Sequence, residues 1–182
     1  ARYRAETQDG SLHLDAQRAI DAYLVARMPA TFAAIAACMA AAREVMPDFA
    51  PNSLLDVGAG PGTALWAAAP VWPSLVSARL LEASAPARHA GEQLSGALVG
   101  VEAAWIGGLA GDLLRTEAPA DLVTLAYVLD ELPASAIEPL VDALWERTAG
   151  MLVIVEPGTP AGWRRILAVR RQLIARSANA VA

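Results

Sequence analysis

Apolar residues fall along this chain in two alternating patterns. Short unbroken apolar runs cover residues 53–57, 76–82, 121–127 and 150–156, with a weaker run near 102–106. Between them lie segments with helical spacing, over 62–69, 84–96, 134–148 and 161–177. Unbroken apolar runs of strand length are buried on both faces, and their alternation with helices predicts a parallel sheet covered on both sides. Ahead of this pattern, Asp15 to Arg27 reads as a helix with Ile20, Tyr23 and Leu24 on one face. Pro29 suits the first turn of a second helix running to about Val45, and Pro47 and Pro51 close the extension. The expected organisation is an N-terminal helical extension over 1–50 and an α/β domain over 51–182, with no internal repeat.

The first strand runs into Leu54-Leu55-Asp56-Val57-Gly58-Ala59-Gly60-Pro61-Gly62. Three glycines at alternate positions let the backbone turn, or approach a ligand, where a Cβ would clash. A helix follows, so free N–H groups face the crevice at the strand ends. The dinucleotide fingerprint G-x-G-x-x-G places its third glycine three residues after the second. Here that spacing is two, and Thr63 takes the last fingerprint position. Glu82 ends the second strand 22 residues after Gly60, and a carboxylate can accept two hydrogen bonds from a ribose diol.

Composition narrows the picture. The 182 residues suit one core, and the apolar fraction of 55% gives a mean hydropathy of +0.37. The longest uncharged stretch, Met28 to Ala42, falls short of the roughly 20 apolar residues of a bilayer span. No membrane partner is therefore expected. Cys38 excludes an internal disulfide and a cysteine-based metal cluster, and reads as a buried thiol. With no secretory leader at the start of the given residues, the expected location is cytoplasmic. The net charge of −5 conceals an asymmetry: residues 161–182 carry Arg164, Arg165, Arg170, Arg171 and Arg176 and no acid. This run is either an RNA-phosphate contact or a solvated helix face.

Further acids sit at predicted strand ends. Asp112 follows the weak third strand in Gly111-Asp112-Leu113, as a turn residue or a ligand contact. Asp121 starts the fourth strand. Tyr127, Asp130 and Glu131 follow it, and either acid is a candidate general base or a helix cap. Glu156 closes the fifth strand before Pro157-Gly158-Thr159-Pro160. His13 and His89 lie away from these ends and read as surface residues.

Asp56-x-Gly58-x-Gly60-x-Gly62 resembles motif I of the class I S-adenosylmethionine-dependent methyltransferases. The resemblance implies a Rossmann-like parallel sheet with S-adenosylmethionine as cofactor. It implies cofactor contacts at Asp56, Gly58, Ala59, Gly60, Gly62 and Glu82, with Asp112 near the adenine, and substrate-facing groups at Tyr127, Asp130 and Glu131. The Asn-Pro-Pro-Tyr motif of some amine-methylating enzymes is absent. A narrower set adds Tyr23-Leu24-Val25-Ala26-Arg27-Met28-Pro29-Ala30-Thr31-Phe32, Tyr127-Val128-Leu129-Asp130-Glu131-Leu132 and Val155-Glu156-Pro157-Gly158-Thr159-Pro160-Ala161-Gly162. Over roughly residues 20–177 this set resembles a methyltransferase-like family of the mitochondrial small ribosomal subunit, with its bacterial relatives. Glu156-Pro157-Gly158-Thr159-Pro160-Ala161-Gly162 is its most specific element. Asp130 stands where asparagine is expected in that family.

The resemblance implies a protein that methylates small-subunit ribosomal RNA or helps assemble that subunit without catalysis; a nucleotide-dependent oxidoreductase is the remaining alternative. The family continues into a cysteine-rich segment, thought to hold an iron–sulfur cluster, and then the last strands of the sheet. Nothing after residue 177 supplies those strands. The expectation is a sheet with one edge exposed, paired with another chain, or mobile.

Overall fold

A computed structural model describes residues 17–181. His13 and the predicted helix start at Asp15 lie outside the described residues. The chain opens with α1 (Gln17–Ala26) and α2 (Met28–Val45), and Pro29 occupies the first turn of α2 as its fixed φ favours. Thr31, Ile35, Met39 and Ala42 recur at helical spacing and form the buried stripe of α2. This helix has 18 residues and a mean hydropathy of 1.2, which suit a membrane span by length and composition. In the fold its stripe packs with the apolar residues of the sheet.

Five parallel strands follow: β1 (Ser53–Val57), β2 (Ser77–Glu82), β3 (Glu102–Gly107), β4 (Ala120–Ala126) and β5 (Thr148–Val155). Their spatial order is β3-β2-β1-β4-β5. The connecting helices are α3 (Thr63–Val71), α4 (Ala85–Ser95), α5 (Ala110–Leu113) and α6 (Ala134–Glu146), and α7 (Pro160–Ala175) follows β5. Every predicted strand and helix is present. The four-residue α5, where a turn was expected, is too short to leave a periodic signature.

Side chains alternate across the sheet, and the core divides accordingly. Leu54 packs with Met39, Leu65, Trp72 and Leu80 on one face. Leu55 and Val57 pack with Leu125, Val141, Leu144 and Val169 on the other. At the N-terminal end of the strands, Asp121 fastens β4 to β1: its Oδ2 accepts Asn52 N at 2.9 Å, Ser53 N at 3.0 Å and Ser53 Oγ at 3.0 Å.

The chain leaves β1 towards β2 and β3, then returns to β4 on the other side. The topological switch point therefore lies between β1 and β4, where open parallel sheets bind ligands. At the far side, β5 has no outer strand neighbour among the described residues. A groove of about 340 Å³ runs beside it, lined by Met151, Val153, Ile166, Leu173 and residues 177–181. Cys38 also lines this groove and is half-buried rather than fully enclosed, with burial pushing its thiol pKa up.

Candidate functional site

The β1 strand enters its loop at Gly58, and Gly58, Gly60 and Gly62 have φ of 66°, 54° and 85°. These angles explain glycine at all three positions. A Cβ on Gly58 would stand 2.5 Å from Val128 Cγ2, so the loop after β4 presses directly on the loop after β1. Gly62 caps α3 in the left-handed conformation.

Glu82, at the end of β2, completes this wall. Its Oε2 accepts Gly60 N at 2.8 Å and its Oε1 accepts Ser84 N at 2.7 Å. Each carboxylate oxygen has a second lone pair, so acceptor capacity remains towards the cleft. Arg88 Nη1 donates to the Glu82 and Ala83 carbonyls at 2.6 and 2.9 Å, which steadies the turn from behind.

Asp56 lies beneath the loop at 1% exposure. Thr124 Oγ1, its cross-strand neighbour in register, donates to Oδ1 at 2.7 Å. Oδ2 is buried without a hydrogen-bond partner. Burial pushes the Asp56 carboxyl up to about 7, with Thr124 lowering it and Glu82 raising it.

The second wall is built by β4 and β5. Tyr127 ends β4 at a φ of 60°, with its N–H donating to Val155 O at 2.8 Å. A non-glycine residue held there stores backbone strain of about 1–3 kcal/mol. Glu156 pins the following turn: Oε1 accepts Leu129 N at 3.1 Å and Oε2 accepts Arg165 Nε at 2.8 Å. The Glu156 side chain is 1% exposed, so this ion pair is interior. Thr159 Oγ1 accepts Gly162 N at 3.0 Å and caps α7, while a Cβ on Gly162 would stand 2.1 Å from Pro157 O. The Glu-Pro-Gly-Thr-Pro-Ala-Gly element is thus a clasp: a buried acid, a cap, and a helix start without room for a side chain.

Burial, with Asp130, Glu82 and Glu156 adding repulsion, pushes Glu131 up to about 8. Burial raises Glu156 to about 7 against the lowering by Arg165. Burial also raises Tyr127, beside which Tyr23 and Arg27 act with opposite sign.

These pieces enclose one cavity of about 190 Å³. Asp56, Gly58, Ala59, Gly60, Glu82, Tyr127 and Glu131 all line it. Asp112 does not: it is exposed on α5, and Gly108, Leu109 and Ala110 line the cavity at that end. Asp130 stands beside Glu131 and Glu156 without lining the cavity. His89 is exposed and meets Gln93. The five arginines do not form one face. Arg165 binds Glu156 and Arg176 binds Asp142, while Arg164, Arg170 and Arg171 are exposed.

Among the lining residues that sequence reasoning missed are Tyr23 and Ile35, which the helical extension brings to the cleft. The Tyr23 hydroxyl lies 3.2 Å from Thr31 Oγ1 and 3.4 Å from Thr63 Oγ1. The only signal was the Tyr23–Phe32 segment in the family resemblance.

Comparison with known proteins agrees with this geometry. The family described as "Mitochondrial small ribosomal subunit Rsm22" matches residues 17–182. The human mitochondrial ribosome assembly protein METTL17 is 33% identical over 156 residues, covering 81% of this chain and 34% of that protein. The chain therefore spans about a third of the length of this curated relative. An O-methyltransferase family protein from Burkholderia thailandensis superposes with a TM-score of 0.61 at 17% identity, over 84% of this chain and 48% of that one. The plantazolicin methyltransferase BamL, solved with S-adenosylhomocysteine, gives 0.57 at 14% identity, over 84% and 54%. The fold is that of the class I methyltransferases. The expected cytoplasmic location does not stand, since the family and the human relative are both described as mitochondrial.

Proposed function

The chain belongs to the Rsm22 family of the mitochondrial small ribosomal subunit, and we propose that it binds S-adenosylmethionine in the β1–β2–β4 cleft and methylates small-subunit ribosomal RNA. The observation that carries this reading is the pairing of a three-glycine loop, all at positive φ, with a Glu82 carboxylate tied to that loop. The cleft suits this cofactor in its donor set. Glycine backbone gives room for close approach, Glu82 keeps acceptor capacity for a ribose diol, and the buried Asp56 oxygen without a partner suits a cationic ligand. Leu109 and Ala110, rather than Asp112, supply the adenine-side wall in this reading.

Bound S-adenosylmethionine supplies an electrophilic methyl group. The residues of the chain orient it and manage protons. Tyr127 and Glu131 bound the cleft on the β4 side, where a substrate would enter. With its carboxyl pushed up to about 8, Glu131 holds a proton at neutral pH and is poised for proton transfer near that pH. Glu156 and Arg165 fix the turn that carries Tyr127 and Glu131. Exposed Arg164, Arg170 and Arg171 are the arginines of α7 available for RNA phosphates.

The second reading is an assembly factor that keeps the cofactor site without catalysis. It is favoured by the name of the human relative, a ribosome assembly protein, and by the absence of a recognisable catalytic motif after β4. Transfer of a labelled methyl group to isolated small-subunit RNA, with a Glu82→Ala control, separates the readings. Incorporation that the variant loses supports the enzyme. A chain that binds the cofactor but transfers nothing supports the assembly factor. Binding of NAD in its place would defeat both.

A further inference from the structure

The wall of the cleft has an uneven charge distribution. Asp56 on β1, Glu82 at the end of β2 and Glu131 in the turn after β4 line it, and no arginine, lysine or histidine lines it among the described residues. Strands β2, β1 and β4 lie side by side, so all three acids belong to the same end of the sheet, and Glu82 acts on both Asp56 and Glu131. The arginines around the cleft stand outside its lining. Arg165 binds Glu156, Arg88 binds the carbonyls of Glu82 and Ala83, and Arg27 acts on Tyr127. Asp56 also keeps one interior carboxylate oxygen without a hydrogen-bond partner, at 1% exposure. A buried acceptor left in this condition is costly unless a donor or cation meets it.

Resting on the cofactor reading above, we infer that this cleft selects its ligand by positive charge and favours the sulfonium cofactor S-adenosylmethionine over its neutral thioether product, with Glu131 as the specificity-determining residue. The two ligands share their adenosine, their carboxylate and their ammonium. They differ by one methyl group and one unit of charge, so the ratio of their affinities reads the electrostatic potential at the sulfur. The acids make that potential negative to the extent that they are ionised, and low dielectric strengthens each interaction. Ionisation of Asp56 and Glu131 grows as pH rises through about 7 to 8. Burial first, and then Glu82, raises the proton affinity of Asp56; burial first, and then Asp130, Glu82 and Glu156, raises that of Glu131. A cation entering the cleft stabilises the ionised carboxylates and expels protons. Product discharge follows: the cleft loses its charge complement when the methyl group leaves.

The test is calorimetric titration of the full chain with S-adenosylmethionine and S-adenosylhomocysteine, in two buffers of different ionisation enthalpy. The expected result is tighter binding of the sulfonium by roughly tenfold or more, with proton release. Glu131→Gln, close to isosteric, should lower that preference roughly threefold or more while changing product affinity less. In the wild type, sulfonium affinity should rise with pH more steeply than product affinity between about pH 6 and 8.5. This last measurement decides the matter if the variant does not fold. Equal or tighter product binding, or an unchanged ratio in a folded Glu131→Gln, overturns the inference and leaves the cofactor reading intact. No binding of either ligand by the folded chain overturns both.

Discussion

The two walls of the cleft are held by different means. On the β1–β2 side the backbone does most of the work: Gly58 and Ala59 donate N–H groups to Leu81 O, and Gly60 and Ser84 donate theirs to Glu82. On the β4–β5 side the turn depends on side chains. Buried Glu156 ties Leu129 N to Arg165, Tyr127 sits at positive φ, and Glu131 is crowded by other acids. The bonds from Gly58 and Ala59 to Leu81 O join neutral backbone groups and carry no titratable member, while Glu82 and the buried Asp56 are the ionisable groups of this wall. In a buried charge network each member depends on its neighbours' ionisation. The first wall thus keeps part of its geometry without charge, and the second responds to charge.

The contrast is broken most severely by removing one partner of the interior ion pair. Arg165→Met should destabilise the chain by about 3–5 kcal/mol in urea denaturation above the raised Glu156 value, and by less near neutral pH, where Glu156 can take up a proton. The double replacement Arg165→Met with Glu156→Met should recover much of that loss, because no orphaned charge remains. If the double variant is no more stable than the single one, the clasp depends on its hydrogen bonds to Leu129 rather than on charge.

Gly58→Ala strikes the point where the walls touch. The positive φ and the 2.5 Å approach to Val128 together predict a loss of about 1–3 kcal/mol, seen as a lower melting temperature and weaker cofactor binding. Adding Val128→Ala should relieve the steric part and leave the backbone part.

The pH dependence follows from the raised carboxyls. Asp56, Glu131 and Glu156 have ordinary values of 3.8, 4.5 and 4.5, and the fold moves them to about 7, 8 and 7. Between those limits the folded chain keeps protons that the unfolded chain has released. Their contribution to stability is therefore complete below the unfolded values and is lost as pH rises through 7 to 8. A melting temperature that falls from about pH 5 to pH 8, with a shallower fall in Glu131→Gln, is the expected profile. An equal fall in the wild type and in Glu131→Gln would mean that Glu131 on the β4–β5 side contributes nothing to the pH dependence.

The smallest effect is expected at Tyr23→Phe. Loss of the hydroxyl contacts to Thr31 and Thr63 should cost about 0.5–1.5 kcal/mol by denaturant midpoint, since the ring itself remains.

What could be read in advance divides along the same line. The backbone-held wall was legible because its geometry needs residue types that stand out: glycine where φ is positive, and an acid at a strand end 22 residues beyond Gly60. Asp112, expected near the adenine, stands exposed on the four-residue α5, whose length leaves no periodic signature, while Gly108 to Ala110 line the cavity. The arginine run of α7 was visible as composition, but a helix distributes five arginines around its circumference. Two of them, Arg165 and Arg176, meet acids on other elements.

The sequence by itself determined the alternation of strands and helices, and hence the parallel sheet, the glycine loop and the crevice at the strand ends. These follow from local periodicity, from backbone conformations open only to glycine, and from the handedness of crossovers. Tertiary structure alone decided which side chains face one another across the cleft. It brought Tyr23 and Ile35 from the helical extension to the glycine loop, enclosed Asp56 with one oxygen unmet, and set Glu131 among other carboxylates. The physical reason is that burial and electrostatic crowding depend on neighbours distant in the chain, which no local pattern encodes.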